Sequence, residues 1–166
     1  GLVITQKLVQ QMGGSIEVNS NLEQGSEFAI TLNLHLAAQP QEVCAQYRPL
    51  IGESILLIEH DLWARNACQA QLQEWQMQVT AVGSLAEASN LGQLHFSTLL
   101  LGLSATPDFP QLQQQLQRLE SQHDRLILSV NSHDPRLQES LRKLGASHCL
   151  SKPVPPGKLL SALLAA

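Results

Sequence analysis

The sequence lacks the residue patterns that several common classes of protein require. Its three cysteines, Cys44, Cys68 and Cys149, lie far apart and form no CxxC pair, which argues against a disulfide framework and a zinc site and favours a reducing cytoplasm. There is no cluster of Lys and Arg in a chain with a formal net charge of −4, so the basic surface that nucleic-acid binding needs is missing. No apolar run reaches the roughly 18 residues of a membrane span, and no secretory signal is present. These absences indicate a globular cytoplasmic segment that contacts neither nucleic acid nor membrane.

The first segment, residues 1–34, has the pattern of a helix followed by a β-hairpin. In "GLVITQKLVQQMGG", Ile4, Leu8 and Met12 recur at helical spacing with Val9 beside them and predict one apolar helix face, which the Gly-Gly pair ends. The runs "SIEVNS" and "EFAITLNL" alternate apolar and polar residues and predict two strands joined by a turn. About 34 residues are too few to bury a core, so this segment is expected to expose apolar surface.

The remaining chain divides into a linker and a longer α/β segment. Residues 35–54 have no periodicity and contain two prolines and a glycine, which predicts a linker. Over residues 55–166, five continuously apolar strands alternate with five helices, and Asp61, Ser84 and Asp134 have the positions of helix N-caps. Continuously apolar strands are typical of a sheet that is buried on both faces, so the prediction is a doubly wound parallel sheet.

Residues 55–166 resemble the receiver domain of response regulators. The resemblance rests on "ILLIEHD" at the first strand, "LLLGL" at the third, "LSVNS" at the fourth and "LGASHCLSKPV" around the fifth. The last of these is the most specific, because it places Gly-Ala before the strand and Lys-Pro after it. The resemblance implies a flavodoxin-like (βα)5 fold.

Residues 1–34 are similar to the C-terminal tail of a histidine-kinase ATP-binding domain. "GL" would end its second glycine box, "MGG" would close its last long helix, and "GSEF" would open its last strand. A kinase tail followed by a receiver is the order found in hybrid sensor histidine kinases of the GacS/BarA type. The resemblance implies a parent protein that uses ATP and Mg²⁺, anchored in a bacterial inner membrane, of which this chain is a cytoplasmic segment. No cofactor is expected for the segment itself, because the asparagine-bearing helix and the first glycine box are absent.

The receiver resemblance implies a phosphoryl-transfer site that is only partly preserved. A working site uses an aspartate nucleophile on strand three, two acidic groups at strand one for Mg²⁺, a hydroxyl on strand four and a lysine on strand five. The hydroxyl, the lysine and one acidic group are matched by Ser129, Lys152 and Glu59. The proline after the lysine, whose peptide bond is cis in the family, is also present.

Three positions depart from the family pattern. Gly102 replaces the phospho-accepting aspartate, His60 replaces the second acidic group, and Cys149 stands at the position of the aromatic switch residue. Gly102 has no oxygen that could attack phosphorus or bind a metal. One carboxylate beside an imidazole is a poor ligand set for Mg²⁺, which prefers hard oxygen ligands in octahedral geometry. We therefore expect no catalytic residue and no metal in this site.

Several assignments remain open from the residues alone. Asp61 and Asp108 are candidate substitute acceptors, although Asp61 is better explained as a helix N-cap and Asp108 would require its loop to fold back. His60 is interpreted as a polar loop residue. Lys152 has two possible placements, with its amine either in water or in a salt bridge with Glu59.

The function predicted from these features is that of a pseudo-receiver, a regulatory and interaction module that is not phosphorylated. Its expected partners are other domains of the parent kinase, namely the dimerisation and phosphotransfer domain and a true receiver, with a second copy of the chain as a further candidate. A cognate response regulator would be reached through the parent. Two alternatives are an atypical receiver that still accepts a phosphoryl group, and a sensor of small ligands or anions at the carboxyl edge of the sheet.

Overall fold

The computed structural model describes residues 1–35, 47–92, 94–104 and 106–165. The chain divides into two compact units, here called the N-terminal unit (Gly1–Gln41) and the C-terminal unit (Glu42–Ala166). Cys44 and most of the predicted linker lie outside the described residues. In the part of the chain that is described, no helix has the length and apolar character needed to cross a membrane.

The N-terminal unit is a helix followed by an antiparallel hairpin, as predicted. Its elements are α1 (Leu2–Gln11), β1 (Ser15–Asn21) and β2 (Gly25–Thr31). Gly13, with φ of +73°, adopts the left-handed conformation that commonly ends a helix. Strand β2 ends before Leu34, where the sequence predicted its end, because Ser15 opens β1 and already pairs with Thr31.

Of the predicted apolar face of α1, only Val9 is buried. Ile4, Leu8 and Met12 are exposed, whereas the neighbouring Val9 is buried. A Cβ at Gly14 would lie 3.2 Å from Val9 Cγ1 and would overlap the carbonyl oxygen of Thr31. The close approach of the chain at Gly14 therefore places Val9, rather than the periodic stripe, against the hairpin. The expected exposure of apolar surface in this unit is observed.

Among its described residues, the C-terminal unit contains five strands and five helices in alternation. The strands are β3 (Ser54–Ile58), β4 (Gln78–Val82), β5 (Phe96–Leu103), β6 (His123–Val130) and β7 (His148–Ser151). The helices are α2 (Leu62–Glu74), α3 (Leu85–Ser89), α4 (Phe109–Leu119), α5 (Pro135–Arg142) and α6 (Pro156–Leu164), with short 3-10 turns at Arg48–Leu50 and Glu120–Gln122. The strands are all parallel in the order β4-β3-β5-β6-β7. This is the predicted doubly wound sheet.

Alternate residues of the strands face two separate cores. Leu56, Leu99 and Leu128 belong to the core that α3, α4 and α5 cover. Leu57 and Leu100 belong to the opposite core, whose helical members come from α2 and α6. Tyr47 and Leu50, in the segment expected as a linker, are also buried in this second core.

The helix starts follow the capping chemistry that the sequence predicts. Asp61 accepts a hydrogen bond from the amide of Ala64 at 2.7 Å, and Ser84 and Asp134 cap α3 and α5 in the same way. Asp108, considered above as a substitute acceptor, caps α4 by accepting from the amide of Gln111 at 3.1 Å. These caps orient the loops at the carboxyl edge of the sheet.

Candidate functional site

The carboxyl ends of four parallel strands bring four of the predicted site residues together, namely Glu59, Gly102, Ser129 and Lys152. Ile58 pairs with Leu101, which sets Glu59 beside Gly102, and Gly102 in turn pairs with Ser129. Lys152 follows β7, and its amide donates to the carbonyl of Val130 at 2.8 Å. Because open α/β sheets bind ligands at this edge, the arrangement forms a candidate site.

An ion pair between Glu59 and Lys152 lies at the centre of this site. Lys152 Nζ is 2.6 Å from Glu59 Oε2, and the two side chains are only 24% and 11% exposed, respectively. Glu59 Oε1 accepts a second hydrogen bond, from the amide of Asp61 at 3.2 Å. Of the two placements considered for Lys152, the structure has the salt bridge.

The ion pair occupies the space above Gly102. A Cβ built at position 102 would lie 2.7 Å from Glu59 Cδ and 2.9 Å from Lys152 Nζ, and it would overlap Glu59 Oε2. The backbone of Gly102 does not adopt a positive φ. Glycine suits position 102 because the Glu59 and Lys152 side chains occupy the space that a Cβ would need. The backbone conformation at this position does not itself require glycine.

Ser129 is buried beside this pair, with an exposed fraction of 7%. Its backbone is held between β5 and β7 by pairing with Gly102 and Leu150. Among the described residues, its hydroxyl has no hydrogen-bond partner. The hydroxyl can therefore donate to, or accept from, a group that enters the site.

His60 and Cys149 lie away from the ion pair. His60 is exposed on the loop before α2 and does not line the cleft described below. Cys149 is buried in the core on the other face of the sheet, and burial raises the pKa of its thiol while Arg142 opposes that shift. Neither side chain adds a ligand or a nucleophile to the group around Gly102.

A cleft of about 510 Å³ opens beside the ion pair, between the sheet edge, α2 and α6. Cys68 lines it from α2, and burial raises the pKa of this thiol to about 11, with the Glu59 carboxylate adding to the shift and Lys152 opposing it. Sequence reasoning missed this cleft. The available signal was the run of small residues in "ARNACQA", which leaves room along one side of α2.

The donor set does not fit Mg²⁺. Gly102 offers no oxygen, and Glu59 already directs one carboxylate oxygen at Lys152 and the other at a backbone amide. In the described part of the chain, no group of three or more His, Cys, Asp or Glu side chains is arranged to hold a metal ion. Magnesium chemistry at this site has no support in the residues present.

The all-parallel sheet and its strand order define a receiver-like domain. The fold is shared with the chemotaxis protein CheY4 of Vibrio cholerae, with a TM-score of 0.56, 18% sequence identity and coverage of 68% of this chain and 96% of that one. The DrrB receiver domain matches with a TM-score of 0.56 and 17% identity, covering 68% of this chain and 95% of that one. The expectation of a flavodoxin-like receiver fold is thus confirmed.

Sensor histidine kinases are among the relatives of this chain. The signal transduction histidine-protein kinase BarA of Escherichia coli strain K12 is 33% identical over 170 residues, which cover 98% of this chain and 18% of BarA. The sensor histidine kinase GacS of Pseudomonas protegens is 39% identical over 90 residues, or 54% of this chain and 10% of GacS. No protein-family model matches the chain. The chain is therefore homologous to a segment of hybrid sensor histidine kinases of the BarA and GacS type, and spans under a fifth of their length.

Proposed function

We propose that the C-terminal unit is a pseudo-receiver, a regulatory and interaction module that is not phosphorylated. The observation that carries this proposal is the Glu59–Lys152 ion pair, which fills the volume where an acceptor side chain at position 102 would stand. Phosphoryl transfer needs an aligned nucleophile and cations that neutralise the transferring oxygens. Here the nucleophile is missing, and the lysine is already neutralised by a carboxylate of the protein.

The experiment that tests this proposal is incubation with acetyl phosphate and Mg²⁺, followed by intact-protein mass spectrometry. We expect no gain of a phosphoryl group, because Gly102 has no oxygen and Lys152 is paired with Glu59. The DrrB receiver domain, for which a BeF3-activated structure is known, serves as the positive control. A stoichiometric, Mg²⁺-dependent mass gain would contradict the proposal and favour an atypical receiver. Asp61→Asn and Asp108→Asn would then locate the acceptor.

Residues 1–34 are proposed to be the tail of a kinase ATP-binding domain, and residues 35–54 a linker from which Tyr47 and Leu50 pack into the second core of the C-terminal unit. The support for the first assignment is the exposed apolar surface on α1 and on the hairpin, where Val18, Phe28 and Ile30 are about half exposed. Such surface favours contact with another protein surface, and the remainder of an ATP-binding domain in the parent would supply it. ATP, Mg²⁺ and an inner-membrane anchor are assigned by this proposal to the parent and not to the segment.

The partners of the pseudo-receiver are proposed to be the neighbouring domains of the parent, namely its dimerisation and phosphotransfer domain and a true receiver. A cognate response regulator is reached through them. Deletion of residues 55–166 from the full-length parent would test this assignment. We expect the deletion to change the rate at which a phosphoryl group reaches the response regulator while autophosphorylation persists, whereas an unchanged transfer rate would contradict a regulatory role.

A further inference from the structure

We propose that the cleft between α2, α6 and the sheet edge binds a small, uncharged and mainly apolar molecule that carries an oxygen acceptor such as a carbonyl. This inference goes beyond the pseudo-receiver proposal and does not depend on it, because it concerns non-covalent binding beside the ion pair and not the fate of a phosphoryl group. Three properties of the cleft support it, namely its size and lining, its unpartnered hydroxyl and its charge.

The size and lining of the cleft suit a small organic molecule. Its volume of about 510 Å³ falls within the roughly 300–1,000 Å³ of typical small-molecule sites. Leu57 and Leu100 come from the strands, Ala67 and Cys68 from α2, and Val154 and Leu159 from the α6 side. The raised pKa of Cys68 keeps its thiol protonated near neutral pH, so this wall behaves as an apolar surface.

The hydroxyl of Ser129 provides a specific polar contact. Ser129 lines the cleft, is more than nine-tenths buried, and has no hydrogen-bond partner for its hydroxyl within the described residues. The hydroxyl oxygen is still accessible from the cleft, because it is not among the buried side-chain atoms that lack a hydrogen-bond partner. A ligand oxygen that accepts its proton would exchange a contact with water for a direct hydrogen bond. Lys152 Nζ also lines the cleft and has further N–H groups beyond the one directed at Glu59.

The charge of the cleft favours an uncharged ligand over an anion. Lys152 is the cation at the rim, and Glu59 neutralises it at 2.6 Å. A phosphate or carboxylate that approached Lys152 would also approach the Glu59 carboxylate, and like charges at short range repel. A carbonyl accepts the same hydrogen bonds without that repulsion. These contacts therefore select a neutral acceptor.

The test uses three probes of similar size on the full 166-residue chain, followed by amide NMR. Acetophenone carries the carbonyl, ethylbenzene lacks it, and benzoate carries a charge. We expect saturable shifts at amides around the cleft with acetophenone, and weaker binding of the other two probes. Ser129→Ala should weaken acetophenone roughly fivefold, as the loss of one hydrogen bond implies, and should leave ethylbenzene unchanged.

Two further variants separate the cleft from other surfaces. Ala67→Trp places a large side chain in the cleft, whereas Ala70→Trp places one on an exposed part of α2 that does not line it. We expect acetophenone binding to be lost only in Ala67→Trp. The inference is overturned if acetophenone shows no saturable binding, if binding survives Ala67→Trp, or if Ser129→Ala affects acetophenone and ethylbenzene equally. None of these results would bear on phosphorylation.

Discussion

The ion pair above Gly102 and the glycine itself bring three strand ends together. Glu59 follows β3, Gly102 lies in β5 and Lys152 follows β7, yet a single added carbon at position 102 would contact both partners of the pair. The absence of an acceptor at position 102 and the pairing of Lys152 with Glu59 are therefore two aspects of one arrangement. Restoring an aspartate at position 102 would require Glu59 to leave its present place.

Gly102→Ala is predicted to destabilise the fold. The new methyl group must displace the Glu59 carboxylate, which is the far end of a flexible side chain, so the expected cost is that of disturbing its ion pair with Lys152, about 1 kcal/mol. Urea unfolding of the variant would measure the loss. The matched control is Gly157→Ala in α6, where a Cβ has open space, and where alanine should be neutral or slightly stabilising. If Gly102 is constrained by Glu59, Glu59→Ala combined with Gly102→Ala should cost less than the sum of the single changes.

The thiol of Cys68 is predicted to give a pH-dependent contribution to stability. Burial raises its pKa from 9.0 to about 11, so the unfolded chain loses this proton at a lower pH than the folded chain. The unfolding free energy that Cys68 contributes should therefore be complete below pH 9 and decrease as the pH rises to 11, by about 2 kcal/mol. The difference in unfolding free energy between the natural chain and Cys68→Ala, measured from pH 8 to 11, isolates this contribution. A difference that does not vary with pH would contradict the raised pKa.

At the scale of secondary-structure elements, the sequence predicted the features that depend on local residues, namely strands, helix caps and helix ends. The continuous apolar strands, the Asp and Ser caps and the glycine after α5, which has a φ of +93°, all lie where the sequence placed them. Periodicity was less informative for α1, where Val9 is the one residue of the predicted apolar face that is buried. The buried face of a short helix depends on which surface reaches it, and that surface belongs to residues distant in sequence.

The candidate site at the sheet edge could also be predicted from the sequence only in part. Parallel strands bring their carboxyl ends together, so the sequence sufficed to predict that Glu59, Gly102 and Ser129 would meet. It could not predict which oxygen of Glu59 would reach Lys152, because a side-chain rotamer depends on the packing around it. For the same reason, the cleft beside α2 was not foreseen, since its walls come from elements far apart in the chain.

At the scale of the whole molecule, the buried apolar side chains are distributed very unevenly. Among the described residues, Val9 is the buried apolar residue of the N-terminal unit, and the others belong to the C-terminal unit. Since burial of apolar surface is the dominant favourable contribution to folding, the C-terminal unit contains nearly all of the stabilising core. The N-terminal unit has too little core to contribute comparably.

A chain that begins at Glu42 is therefore predicted to fold by itself, with the urea midpoint of the full chain. A second truncation that begins at Ile51 provides the contrast, because it also removes Tyr47 and Leu50, which are 7% and 3% exposed in the core beneath α2 and α6. Loss of these two side chains should lower the unfolding free energy by about 3 kcal/mol or more, at roughly 1.5–3 kcal/mol for each fully buried apolar side chain. If the chain that begins at Glu42 already lost that much stability, the N-terminal unit would have to stabilise the receiver-like fold directly. If both truncated chains kept the urea midpoint of the full chain, Tyr47 and Leu50 would contribute no measurable stability to the C-terminal unit.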